Sequence, residues 1–224
     1  VFAFDPNQPR DPSGTSTGGQ WTGGNTQTET SEFKSWFSNS KAVDVDGKPL
    51  MLYHGTDVEW DEYNPNLAGT GAWSDRGLIP ENARGGKAVL ILTSSKRLAD
   101  NYGKQVMSLY AKIEKPIVVD AKSDLSKWLR SERDNRSPQE FINALGSFDA
   151  AYNLDARIIE LTIKAKKEGH DGFIINTKGL TAPKGLIGDI VGVFRPEQIK
   201  RAIGNHSTFY LNNPNINFGQ HDFA

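Results

Sequence analysis

The chain has 224 residues, no cysteine, and 26 Lys and Arg against 27 Asp and Glu. These counts exclude a disulfide scaffold, thiolate metal sites and a cysteine nucleophile, together with a global field that would gather nucleic acid or an anionic membrane; a local basic groove remains open. A mass of 24.7 kDa at a mean hydropathy of −0.54 allows one domain with a real core plus an unpacked appendage.

In chain order, residues 1–30 are rich in Gly, Thr, Ser, Pro, Gln and Asn and read as a flexible linker, since they bury too little apolar surface to offset ordering entropy. The start at Val1 fits a fragment of something longer. The folded domain is expected over 31–207 and an irregular tail over 208–224. Ser31 is the N-cap candidate for a short helix carrying Phe33, Trp36 and Phe37. Asp46-Gly47 marks a tight turn between β-prone runs at 42–45 and 50–53, which puts His54 at the mouth of a hairpin's second strand. The Gly-rich stretch 64–86 reads as a functional loop.

A strand at 88–93 and a helix at 95–102 follow, then strands at 106–113 and 117–119 around Lys115-Pro116. Helices are expected at 125–133 and, after the capping box Ser137-Pro138-Gln139-Glu140, at 141–145. The longest amphipathic helix spans 154–167 and closes at Gly169. Strands at 173–176 and 190–194 precede a short helix from Pro196 to near Gly204. Strands at both ends and helices in the middle define an α+β chain. No run approaches the roughly 18 apolar residues of a membrane span, and no signal-peptide pattern opens the chain, so a soluble protein is expected.

Tyr53-His54-Gly55-Thr56 is the most informative stretch: an imidazole ends an apolar strand where a residue without Cβ lets a flat ligand reach the backbone. An isolated strand-end histidine is more often structural. His170, His206 and His221 show no ligand spacing, which gives a metal site little support. Lys164, Lys166 and Lys167 read as the wet face of their helix.

The string from Phe33 through Lys48-Pro49-Leu50 into Tyr53-His54-Gly55-Thr56 strongly resembles the opening of the ADP-ribosyltransferase-like domains of phage head-morphogenesis and polyvalent proteins. The resemblance continues in Val89-Leu90-Ile91-Leu92-Thr93, Ala99-Asp100-Asn101-Tyr102, Gly169-His170-Asp171-Gly172-Phe173, and Asp189 through Phe194 into Arg195-Pro196-Glu197-Gln198-Ile199. Residues 5–21 also resemble the connector before fused domains in phage structural polyproteins. The resemblance implies a split β-sandwich with a helical insertion that binds NAD as co-substrate, transfers ADP-ribose and releases nicotinamide. In the histidine-tyrosine-glutamate class, His54 would bond the ribose, the Gly55 backbone the carboxamide, and Thr56 would support the loop. Arg76 or Arg84, with Trp73 nearby in the long loop, would face the pyrophosphate side, where arginine suits bidentate contacts. Ser94 and Ser95 are candidate ligand contacts, although serines at a strand-to-helix junction are usually caps.

Two positions depart from that class. Ile91 stands where its tyrosine belongs and would line the nicotinamide pocket without a π face, while Tyr102 falls at a second aromatic position and would stack on nicotinamide. Ile190 stands where the glutamate belongs. Asp189, one residue earlier, becomes the candidate catalytic carboxylate if Gly192 marks a β-bulge that turns it into the cleft. The function expected is mono-ADP-ribosylation of a host macromolecule, with protein ahead of RNA or DNA as acceptor, by a virion-associated chain or one acting in host cytoplasm. Alternatives are a degenerate NAD-binding or virion structural module, and an RNA 2′-phosphotransferase-like enzyme; Gly77-Leu78-Ile79-Pro80 favours the last, and the missing arginine-rich site around 91–95 opposes it. Oligomeric state is left open.

Overall fold

A computed structural model describes residues 27–65, 89–121, 148–177, 188–202 and 212–216. Expectations at 1–26, in the loop beyond residue 65 including Trp73, Arg76 and Arg84, for the helices at 125–145, and for His206 and His221 lie outside the described residues. Within them are three α-helices, α1 Ser31–Phe37, α2 Lys96–Ala99 and α3 Phe148–Lys167. Seven strands accompany them: β1 Leu52–Thr56, β2 Leu90–Thr93, β3 Gln105–Ala111, β4 Pro116–Asp120, β5 Gly172–Asn176, β6 Ile190–Val193 and β7 Ile199–Arg201. They form one sheet in the order β4-β5-β6-β2-β1-β3-β7. Only β4 and β5 run parallel, and α3 lies in the connection between them, as a parallel pair requires a crossover. The chain is α+β, as its pattern of elements implied.

The sheet is split at its centre. β1 pairs with β3 over five residues but with β2 through Tyr53 and Thr93 alone. On one face Leu52, Leu90, Leu92, Met107, Leu109, Val191 and Val193 form the main core. The other face carries Phe173, Ile175 and Val119 against Ile158 and Leu161 of α3. Each such buried aliphatic side chain contributes about 1.5–3 kcal/mol, which is why alternation is kept strictly along β2, β5 and β6. A third cluster docks α1 through Phe33, Trp36 and Phe37 onto Tyr110 of β3.

Several local expectations are corrected. The N-cap of α1 is Thr30, whose Oγ1 accepts from Phe33 N at 3.2 Å, while Ser31 is the first helical residue. The turn before β1 is longer than a two-residue hairpin: Gly47 N donates to Asp44 O and Gly47 takes φ +76°, with Asp44 Oδ1 collecting the N–H groups of Asp46 and Lys48. The helix expected from Pro196 is one 3₁₀ turn, Pro196–Gln198, followed by β7. Gln198 explains the switch, since its buried amide accepts from Phe194 N and Arg195 N and donates to Lys112 O and Asp171 O, and Ile199 then pairs with Ala111 in the core. Lys166 is half-buried rather than on a fully wet face, with its ammonium 5.1 Å from the Phe194 ring centroid. Residues 212–216 pack against the domain: Ile216 is fully buried in the main core and Asn215 bridges to Glu62.

Candidate active site

The split positions His54. Ser94 N donates to Asp189 O across the β2–β6 pair, so by alternation the backbone groups of Ile91 and Thr93 point towards β1. Continuing the Tyr53–Thr93 register would set Gly55 against Ile91, but the ladder stops. The Ile91 carbonyl is taken instead by His54 Nδ1 at 2.9 Å. A carbonyl only accepts, so Nδ1 carries the proton and Nε2 presents its lone pair. Burial holds the imidazole below its usual pKa of 6.5, against a smaller opposite effect of the Ile91 bond; the ring is therefore neutral at pH 7. By the same alternation the Gly55 N–H and C=O face the opened gap.

Gly55 is required from the other side as well. A Cβ there would lie 2.0 Å from the Ala99 carbonyl oxygen and 3.0 Å from Tyr102 Cβ, so the end of α2 sits directly on the strand. Tyr102, in the 3₁₀ turn Asp100–Tyr102, is 57% exposed and does not pack its ring into the core. Thr56 Oγ1 donates to Val58 O at 2.9 Å and so supports the loop leaving β1. Ser95, not Ser94, caps α2 by accepting from Leu98 N. Ser94 Oγ accepts from Asp189 N at 2.8 Å, which fastens the end of β2 to the entrance of β6.

Asp189 is half-buried, and its Oδ1 accepts from Thr177 N at 2.8 Å and Thr177 Oγ1 at 3.0 Å. The proposed bulge is absent: β6 pairs residue for residue with β2 and with β5 through Gly192. Gly192 serves packing instead, because a Cβ would lie 2.3 Å from the Phe173 ring opposite it. Alternation from Val191 nevertheless puts Asp189 on the main-core face, which is also the face of His54 and its cross-strand partner Met107. Ile190 and Ile91 turn to the α3 side, against the cluster containing Phe173. The structure thus brings His54, Ser94 and Asp189 to one face and sets Ile91 and Tyr102 on the other, with the gap beside Gly55 between them. From strand spacing and rise, about 12 Å separates the His54 and Asp189 backbones, too far for a direct hydrogen bond between the two side chains.

Sequence reading missed Trp60. Its ring meets the imidazole of His54 edge-on, with centroids 5.9 Å apart and planes at 61°, and is followed by Tyr63 at 6.2 Å. An aromatic pair spaced by three after a strand end is a weak signal by itself. Among the described residues no group of three or more His, Cys, Asp or Glu is arranged to hold a metal ion, and no helix is long and apolar enough to cross a membrane.

A split, mostly antiparallel sheet with a histidine and an open glycine edge at the split fits an ADP-ribosyltransferase-type domain. Residues 44–209 match the family described as ADP-ribosyltransferase in polyvalent proteins, and the chain belongs to that family. No curated protein and no solved structure gives a significant match.

Proposed function

We propose that this chain transfers a single ADP-ribose from NAD to a host macromolecule, with protein as the first acceptor class. The observation that carries the reading is His54 at the split, with Nδ1 held by Ile91 O and Nε2, which has no hydrogen-bond partner among the described residues, available to accept from a ribose hydroxyl beside the open backbone of Gly55. The gap is lined on its other face by exposed Tyr102, suited to stack on nicotinamide. The bond from ribose C1′ to the nicotinamide nitrogen breaks with its electron pair leaving on nicotinamide. An acceptor nucleophile then bonds C1′ and gives up its proton. Positive charge that develops at C1′ calls for a carboxylate. Asp189 is the candidate: Thr177 orients Oδ1, and among the described residues Oδ2 takes no hydrogen bond.

A second reading, a domain that binds NAD without turnover, draws support from Ile190, whose apolar side chain occupies the family's glutamate position and packs towards α3. The test is nicotinamide release from NAD by the parent chain, His54→Ala and Asp189→Ala, each shown to be folded. Turnover lost in both variants supports the transferase; no turnover by the parent, even with host lysate, together with measurable NAD binding supports the second reading.

A further inference from the structure

We propose that Trp60 is a positioning residue for His54 and that residues 212–216 are the strap that holds Trp60 against it. Among the described residues the imidazole has one directional anchor, the bond from Nδ1 to Ile91 O. A single hydrogen bond leaves the ring free to turn about the bonded axis and to exchange for the other tautomer in another rotamer. Trp60, half-buried and packed on the main core, stands edge-on to the imidazole and blocks that movement. Among the described residues no other aromatic ring touches His54.

Trp60 lies in the irregular segment between β1 and residue 65, which has no ladder of its own and needs anchors. The strap supplies them. Ile216 N donates to Asp61 O at 2.7 Å, and Asn215 bridges to Glu62, which brackets the loop just past Trp60. Before Trp60, Glu59 pairs with Arg201 at 3.1 Å, and Arg201 N donates to Ile216 O. The strap is itself fixed by Lys200, a fully buried side chain whose ammonium donates to Asn213 O and Asn215 O at 2.7 Å each. A buried ammonium is costly unless its protons are used, and here two of them hold the strap. The contacts run without a gap from Lys200 through the strap and the 59–63 segment to Trp60 and His54.

The proposal concerns the ligand-free ring, so it stands or falls apart from the transferase reading. The measurement is ¹⁵N NMR of the His54 side chain in the full chain at a pH where the ring is neutral, with its signals identified by their loss in His54→Ala. The variants are Trp60→Phe, Trp60→Leu and Lys200→Met. The parent and Trp60→Phe, which keeps a ring in place, should show the Nδ1–H tautomer. Trp60→Leu and Lys200→Met should lose about tenfold in preference for it, with β4 and β5 amide signals unchanged. If Trp60→Leu fails to fold, Lys200→Met decides, because it leaves Trp60 intact. A parent-like His54 pattern in a folded Trp60→Leu, or in Lys200→Met, overturns the proposal.

Discussion

Gly55→Ala is the sharpest test of how the split is built. A Cβ at this position would lie 2.0 Å from Ala99 O, and ordinary contact begins near 3.4 Å, so strand and helix end must part by about 1.4 Å. The obstructing atom is backbone, so no rotamer change relieves it. Overpacking of this kind costs about 1–3 kcal/mol, which for a chain of this size lowers the melting midpoint by roughly 2–12 °C. The movement also carries Tyr102, whose Cβ would stand 3.0 Å from the new methyl group, away from the gap beside His54. Misplacing a binding group by about 1 Å lowers turnover by about 10²-fold. The assay is nicotinamide release below both melting midpoints, alongside thermal melts. A variant with the parent's midpoint and turnover would refute the argument that α2 sets the geometry of the site through Gly55.

Gly192→Ala should destabilise by about 1–3 kcal/mol in urea unfolding, because its Cβ would lie 2.3 Å from the Phe173 ring; an unchanged midpoint would reopen the bulge. Tyr102→Ala should change stability by less than about 0.5 kcal/mol, since the residue is 57% exposed, yet raise the KM for NAD; an unchanged KM removes Tyr102 from the site. His54 makes stability depend on pH. Its folded pKa lies below the ordinary 6.5 through burial, so the unfolded chain takes up the proton first as pH falls. Its contribution is full above about 6.5 and declines as pH drops towards the folded value. Melts of the parent and His54→Gln across this range should differ in slope there, and parallel curves would refute the assignment.

The elements legible in the sequence are short apolar runs packed on both faces of the sheet. β2, β5 and β6 alternate between two packed faces, and each appears within two residues of its expected start. The candidate site residues His54 and Gly55 lie next to the end of β1, a strand whose apolar start at Leu52 is visible in the sequence. β7 was not legible, because what stops the helix after Pro196 is the amide of Gln198 reaching Lys112 and Asp171, partners 86 and 27 residues away. The role of Gly192 was misread because an interior strand glycine fits a bulge and a facing ring equally well, and only the register puts Phe173 opposite. Trp60 and the strap depend on contacts between segments about 150 residues apart, which no local pattern carries.

The position of Asp189 turns on the same register. In an unbroken sheet its face and that of Tyr102 would be separated by a continuous ladder, and one ligand would not meet both. Here the ladder between β1 and β2 is reduced to Tyr53 and Thr93, and the strands part at Gly55, where the backbone faces the gap and α2 closes over the far side. On the proposed reading the nicotinamide ring enters from the Tyr102 side while the ribose passes the gap to His54, and Asp189 approaches C1′ from the His54 face. On that reading the departure at Ile190 is a change of face rather than a loss of the acid. Exchanging the two side chains, Asp189→Ile with Ile190→Asp, should then fail to restore turnover, because the new carboxylate would point at the cluster around Phe173 and Ile158. A fully active double variant would place the reacting carbon on the α3 side and refute the argument from register.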